Sequence, residues 1–160
     1  MRAERIERLL ADAINHDKRL TARTYSEADF TRSRYGVIAT TPTGTPVNVQ
    51  IIGRLAEGER DERPAPPVIG TPHPDLPIPD PTDGRSLNLA AFEQYLAGLA
   101  VAAAPEETAS ISLYQHRDTP GAVRYGATIT YNNTAMIYLY VLSAGSSRHA
   151  DFVPPATVNA

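Results

Sequence analysis

The chain has no cysteine and no tryptophan, and Lys18 is its only lysine. Without thiols there can be no disulfide, no thiolate metal site, no cysteine nucleophile and no iron–sulfur ligation. A small disulfide-stapled scaffold is thereby excluded. Long apolar runs are also missing: none approaches the ~18 residues that span a bilayer. The opening segment, Met1 to Leu10, alternates charged with apolar residues and offers no uninterrupted apolar stretch of the kind that directs export. These features lead to the expectation of no membrane contact and a cytoplasmic location, or a virion if the chain is built into one.

Positive charge is scarce as well. Fifteen basic against eighteen acidic side chains give a formal charge of -3 and a pI near 5.8. No global positive field attracts a phosphate backbone, so duplex DNA is an unlikely partner. Fourteen of the fifteen basic residues are arginine. Arginine suits planar, bidentate recognition of carboxylate or phosphate, although a bias toward Arg, Ala and Pro codons produces the same skew.

The motifs of the common chemistries are absent too. There is no phosphate-binding G-x-x-x-x-G-K-[ST], no G-x-G-x-x-G, no H-E-x-x-H and no G-x-S-x-G. His116-Arg117-Asp118 copies three letters of a kinase catalytic loop, but nothing else in the chain supports that reading. His73, Asp75, Asp80 and Asp83 do not follow a calcium-loop pattern. Ser146 or Ser147 with His149 and Asp151 lie too close together on a polar tail to be held as a triad. The expectation is a non-enzyme with no cofactor, no metal and no catalytic residue.

What the sequence does contain is one domain's worth of patterned segments. Its 160 residues, 42% of them hydrophobic, suffice for one sizeable core. From Arg2 to about Leu20, Ile6, Leu9, Leu10, Ala13 and Ile14 fall on one helical stripe, and Glu4 and Arg8 stand i, i+4 on the polar side. Residues 35–41 and 46–55 are β-branched and alternating around a Pro- and Gly-containing turn, which predicts a hairpin. A second helix is expected from the N-cap Asn88, with Leu89, Phe92, Leu96, Leu99, Ala100 and Ala103 as its stripe, ended by Pro105. Three strand-like runs follow at 109–115, 122–131 and 135–142, separated by turns rich in Asp, Asn, Pro and Gly. They predict an antiparallel meander.

The resulting expectation is an α+β fold with two helices packed on a mostly antiparallel sheet. One domain spans 1–144, a Pro-rich arm or loop over 56–86 is inserted in it, and 145–160 form a flexible C-terminal tail. The arm opens with a charge run at 57–63 and then holds eight of the fourteen prolines between Pro64 and Pro81. Polyproline II is the regular conformation open to it, reaching ~3 Å per residue. Its apolar residues Val68, Ile69, Leu76 and Ile78 are what such an arm would plug into a groove.

The last strand is apolar or aromatic on both sides, which in a sheet implies cover on both faces. Helices account for one. For the side bearing Met136, Tyr138 and Tyr140, the cover is expected to be either the hairpin with the Pro-rich segment or another protein chain. These seven residues are the interface candidates. Tyr114, His116, Arg117 and Arg124, near one end of the meander, are candidates for contact with a ligand or a single-stranded nucleic acid. The function expected is therefore structural: a protein that forms a homo-oligomer or docks in a larger complex, with protein as its partner. Small ring-forming proteins of phage tails and head-to-tail connectors have a comparable layout of helices, sheet and arms, an analogy of layout alone. The alternative is a monomeric module that binds a peptide, single-stranded nucleic acid or small ligand.

Overall fold

A computed structural model describes residues 1–152 of the chain. It has the expected α+β architecture. Helix α1 (Ala3–Asp17) is followed by strands β1 (Thr21–Thr24), β2 (Gly36–Thr40) and β3 (Pro46–Arg54), a two-residue pair β4 (Thr82–Asp83) and β5 (Ser86–Leu87), helix α2 (Leu89–Ala103), then β6 (Thr108–Leu113), β7 (Gly126–Tyr131), β8 (Met136–Ala144) and β9 (Ser147–Arg148). The main sheet runs β1-β2-β3-β8-β7-β6, with β9 added against the end of β8, and every pairing is antiparallel.

Both helices lie on one face of this sheet. Ile6, Leu10 and Ile14 of α1 and Phe92, Leu96 and Ala100 of α2 pack on Val37, Val49, Ile129, Ile137, Leu139 and Val141 in a single apolar core. The alternation along β8 follows: 137, 139 and 141 are fully buried beneath the helices, whereas 136, 138 and 140 point to the other face and are only half-buried. Asn88 caps α2 as expected, its side chain accepting the Ala91 N–H at 3.0 Å.

The hairpin does not cover the second face of β8. It joins the same sheet, β3 lying beside β8 with Gln50 opposite Tyr140 and Ile52 opposite Tyr138. The Pro-rich arm is not the cover either. It crosses the helical side of the molecule, held along its length by the folded core. Arg2 donates to Glu59 at 2.7 Å and to the carbonyls of Arg60 and Asp61. The Gly70 and His73 N–H groups donate to the carbonyls of Glu106 and Pro105 at 2.8 and 2.9 Å. Arg19, paired with Asp17 through two bonds of 2.9 Å, donates to the Ile78 carbonyl, and Tyr95 completes the clamp by donating to Asp17.

This path, together with α1 packed alongside, explains why α2 is buried over most of its surface. Its residues Phe92, Glu93 and Tyr95 to Val101 are all buried, a pattern that one sheet face cannot produce. At Gly98 the arm approaches so closely that a Cβ would stand 2.6 Å from Ile78 Cγ1 and 2.9 Å from the Pro77 carbonyl oxygen. Of the arm's apolar residues, Ile78 packs against the core and Leu76 is half-buried, while Val68 and Ile69 remain 47% and 61% exposed.

Two further expectations change. The run 122–131 is a strand only from Gly126, with bends at 122, 123 and 125 before it; position 126 itself takes φ 153°, and a Cβ there would run into the Leu139 carbonyl. The segment read as a tail is structured as far as Phe152. β9 pairs with β8, a 3₁₀ turn follows at His149–Asp151, and Phe152 is buried with its ring 6.0 Å from that of Tyr125. The rest of that expected tail, 153–160, lies outside the described residues.

Candidate interaction face

The face of the sheet opposite the helices is partly roofed by the loop 25–35. Tyr25, fully buried, packs its ring against Phe30 in a tilted pair with centroids 4.3 Å apart and donates its hydroxyl to Asn48. Gln50 donates to the Ser33 hydroxyl at 2.8 Å. This cover stops at β3. From Ile52 across β8 and β7 the face is open among the described residues.

A row of side chains crosses that opening. Arg117 lies over the ring of Tyr114, its guanidinium carbon 3.4 Å from the centroid. The Tyr114 ring is 5.9 Å from that of Tyr140, which is 6.1 Å from Tyr138. Tyr138 and Arg54 both reach the sulfur of Met136, at 3.8 and 3.6 Å. The row thus begins and ends on arginine, with three tyrosines and a methionine between. Aromatic spacings of this order are favourable contacts in their own right, and guanidinium over a tyrosine face adds a cation–π attraction. These contacts, all within the chain, hold the row in place.

Tyr114 occupies its place because the chain turns there. β6 ends at Leu113 and a 3₁₀ turn spans Tyr114–His116. The turn is fastened by Glu93 of α2, whose Oε1 accepts the N–H groups of Tyr114, Gln115 and Gly126 at 3.0, 3.2 and 2.8 Å. One carboxylate therefore ties the end of β6 to the start of β7. Burial raises the Glu93 pKa above the ordinary carboxylate value, against the opposing pull of those three backbone donors. Burial also raises the Tyr114 pKa, opposed by its bond with Thr128 at 3.1 Å and by the nearby Arg117. The phenol stays a neutral hydroxyl that is already partnered.

The structure thus brings Tyr114 and Arg117 together with Met136, Tyr138 and Tyr140, residues that the sequence left in two separate groups. Ile52, 40% exposed, belongs to the same face and was missed, while Arg54, which the alternation puts with Asn48 and Gln50 on the side left for water or contact, joins the row. The signal for Ile52 was the same alternation of β3, in which 52 follows Asn48 and Gln50 on the side away from the core. His116 is not in the row. It opens onto a groove of about 480 Å³ on the helical side, with Leu76, Pro77, Ala97, Ile111 and Leu113. Arg124 lies in the loop before β7, outside the row. Val68 and Ile69 lie on the arm beside the β7–β8 turn, where Asn132 reaches the Val68 carbonyl at 3.3 Å.

Among the described residues, no group of three or more His, Asp or Glu side chains is placed to hold a metal ion. Nor is any helix there long and apolar enough to cross a membrane. Comparison with protein-family models, with curated proteins and with solved structures finds no match to this chain.

Proposed function

We propose that this protein is a non-enzymatic assembly subunit that makes its contact through the open face of the sheet. The observation that carries the reading is the preorganised row Arg117-Tyr114-Tyr140-Tyr138-Met136-Arg54, in which Tyr114 is buried, Tyr140, Tyr138 and Met136 are half-buried and the two arginines are exposed, beside exposed Ile52. Tyrosine, methionine and arginine are the side chains enriched in protein–protein contacts and among their energetic anchors. Here they are fixed by one another, so little side-chain freedom is lost when a partner covers them. Every titratable group in the row is engaged in packing, and among the described residues the face holds no convergent acid–base pair, which favours contact over catalysis. The partner chemistry that fits is another protein surface, first of all a second copy of this chain, in a closed oligomer or as part of a larger particle of the ring or connector type.

Light scattering after size exclusion, over a wide concentration range, tests this reading with the wild type and with Tyr138→Glu and Ile52→Glu. An oligomer that the two substitutions convert to a folded monomer is the expected result. A wild type that stays monomeric at every concentration would overturn self-assembly and leave the monomeric binding module as the better reading.

A further inference from the structure

The two outer strands of the sheet are finished differently. At β1 the Ala22 N–H donates to Asn15 Oδ1 at 2.8 Å and the Ala22 carbonyl accepts from Asn15 Nδ2 at 2.9 Å, so a side chain of α1 occupies the backbone groups of that edge. Among the described residues, β6 has no such guard. It pairs only with β7, and no other hydrogen bond from the described residues reaches the backbone of 109–113. In an antiparallel pair every second residue turns its N–H and C=O outward, so this edge presents unmet donors and acceptors. Its sequence, Thr108-Ala-Ser-Ile-Ser-Leu113, contains none of the charges or prolines that normally blunt an edge. Alongside it runs the 480 Å³ apolar groove, with Ile111 and Leu113 on one wall and Leu76 and Pro77 of the arm on the other.

We propose that β6 is the edge at which a second copy of this chain adds, antiparallel, continuing the sheet across a two-fold axis near Ile111. The inference rests on the assembly reading above and gives one of its contacts an address. Two identical strands joined edge to edge in one sheet across a two-fold perpendicular to them are antiparallel, and such a contact closes on itself. The ends of β6 fit that arrangement and no parallel one: exposed Glu106 stands just before the strand, exposed His116 and Arg117 just after it. Antiparallel pairing lays the acidic end of each copy against the basic end of the other. The strand is also self-complementary in size. With the axis at Ile111, Ser110 of one copy faces Ser112 of the other on the open side, while Ile111 meets its own counterpart over the groove. The two tyrosine rows then share one continuous face.

Because the chain has no cysteine, the register can be read directly. Ser110→Cys and Ser112→Cys are made separately at exposed positions. After mild oxidation, a mixture of the two gives a cross-linked dimer, and neither alone does so to a comparable extent. In parallel, Ser110→Lys/Ser112→Lys weakens dimerisation at least tenfold by light scattering. Ser110→Lys/Ser112→Glu, which pairs opposite charges across the two-fold, keeps it, and circular dichroism checks that both remain folded. An oligomer that gives no mixed cross-link and ignores both charge pairs overturns the edge contact while sparing the assembly reading. A wild type monomeric at all concentrations overturns both.

Discussion

Glu93 is the residue whose removal should be felt most sharply, and its effect can be worked out from its bonds. The Tyr114 and Gly126 N–H groups that it accepts are buried, and that of Gln115 is partly so. Glu93→Ala strands these donors without an acceptor. An unmet buried donor costs about 1–3 kcal/mol, so the two buried ones alone give about 2–6 kcal/mol. Against a total stability of ~5–15 kcal/mol, that is a large fraction. Glu93→Gln keeps an oxygen at the Oε1 position, where the three short bonds converge, and places an amide only where the carboxylate makes its long contact of 3.3 Å with the Gln115 N–H. It should cost less than about 1.5 kcal/mol, the scale of one ordinary hydrogen bond.

The pH dependence has a definite sign. Burial raises the Glu93 pKa in the folded state, so between the ordinary carboxylate value and that raised value the native protein holds the proton and the unfolded chain does not. Stability then falls as pH rises through the window. Glutamine cannot titrate, so Glu93→Gln gains on the wild type as pH rises and loses that relative gain at low pH. Urea unfolding followed by circular dichroism, at several pH values from the acid side to neutrality, measures both effects. The reasoning is refuted if alanine and glutamine are equally damaging, if alanine costs less than about 1 kcal/mol, or if the glutamine variant loses ground to the wild type as pH rises.

Three other substitutions probe the packing around the site. Tyr131 is the described residue whose buried side-chain oxygen has no hydrogen-bond partner, so Tyr131→Phe should raise stability by about 1 kcal/mol, read as a higher urea midpoint. Arg5→Ala removes a bidentate partner at 2.7 Å from the nearly buried Glu107 carboxylate. The arginine itself is half exposed, so a loss of about 1–3 kcal/mol is expected, below that of a fully buried pair. Gly98→Ala gains about 1 kcal/mol of helix propensity but drives Pro77 and Ile78 off α2. Its signature is faster proteolytic cleavage in the arm, with little change in the unfolding midpoint.

Local chemistry carried much of the fold into the sequence. Helix α1, the cap at Asn88, the stop before Pro105 and the hairpin of β2 and β3 all rest on neighbours within a few residues. What the sequence did not show depends on distant partners. That β3 lies beside β8, rather than over it, is a long-range pairing, and it turns an expected cover into an adjoining strand. β1 was missed because Thr-Ala-Arg-Thr is short and carries no run of apolar alternation. The arm's place on the molecule is set largely by its backbone carbonyls and amides, groups every residue has, so its side chains gave no address. A sign was nevertheless present in α2. Tyr95, Ala97, Gly98 and Val101 lie off the stripe and are apolar or nearly so, and a helix apolar on every side needs more than one cover. The row on the open face was legible only in parts, because it is assembled from β3, β8 and the turn after β6.

On the proposed assembly reading, the position of the arm narrows where the contact can be. Laid across α2 and fastened by Arg2, Arg19 and the carbonyls of Pro105 and Glu106, it covers part of the helical layer and leaves there the groove beside β6. Freed of that role, the sheet keeps two unfinished boundaries: the face beyond the 25–35 loop and the edge at β6. The first is aromatic, ringed by arginine and non-directional in its attraction. The second is made of backbone groups whose direction and register are fixed. A contact using the first alone could slide, and one using the second alone would bury little apolar area. Their adjacency supplies what each lacks. Tyr114 stands at the C-terminal end of β6 and also in the aromatic row, so the proposed pairing at the edge would bring two rows into one surface at a set spacing. Glu93, which fastens that turn, should therefore affect association as well as stability. A Glu93→Gln protein that remains folded but dimerises more weakly would be the mark of that link, and unchanged dimerisation would separate the turn from the contact.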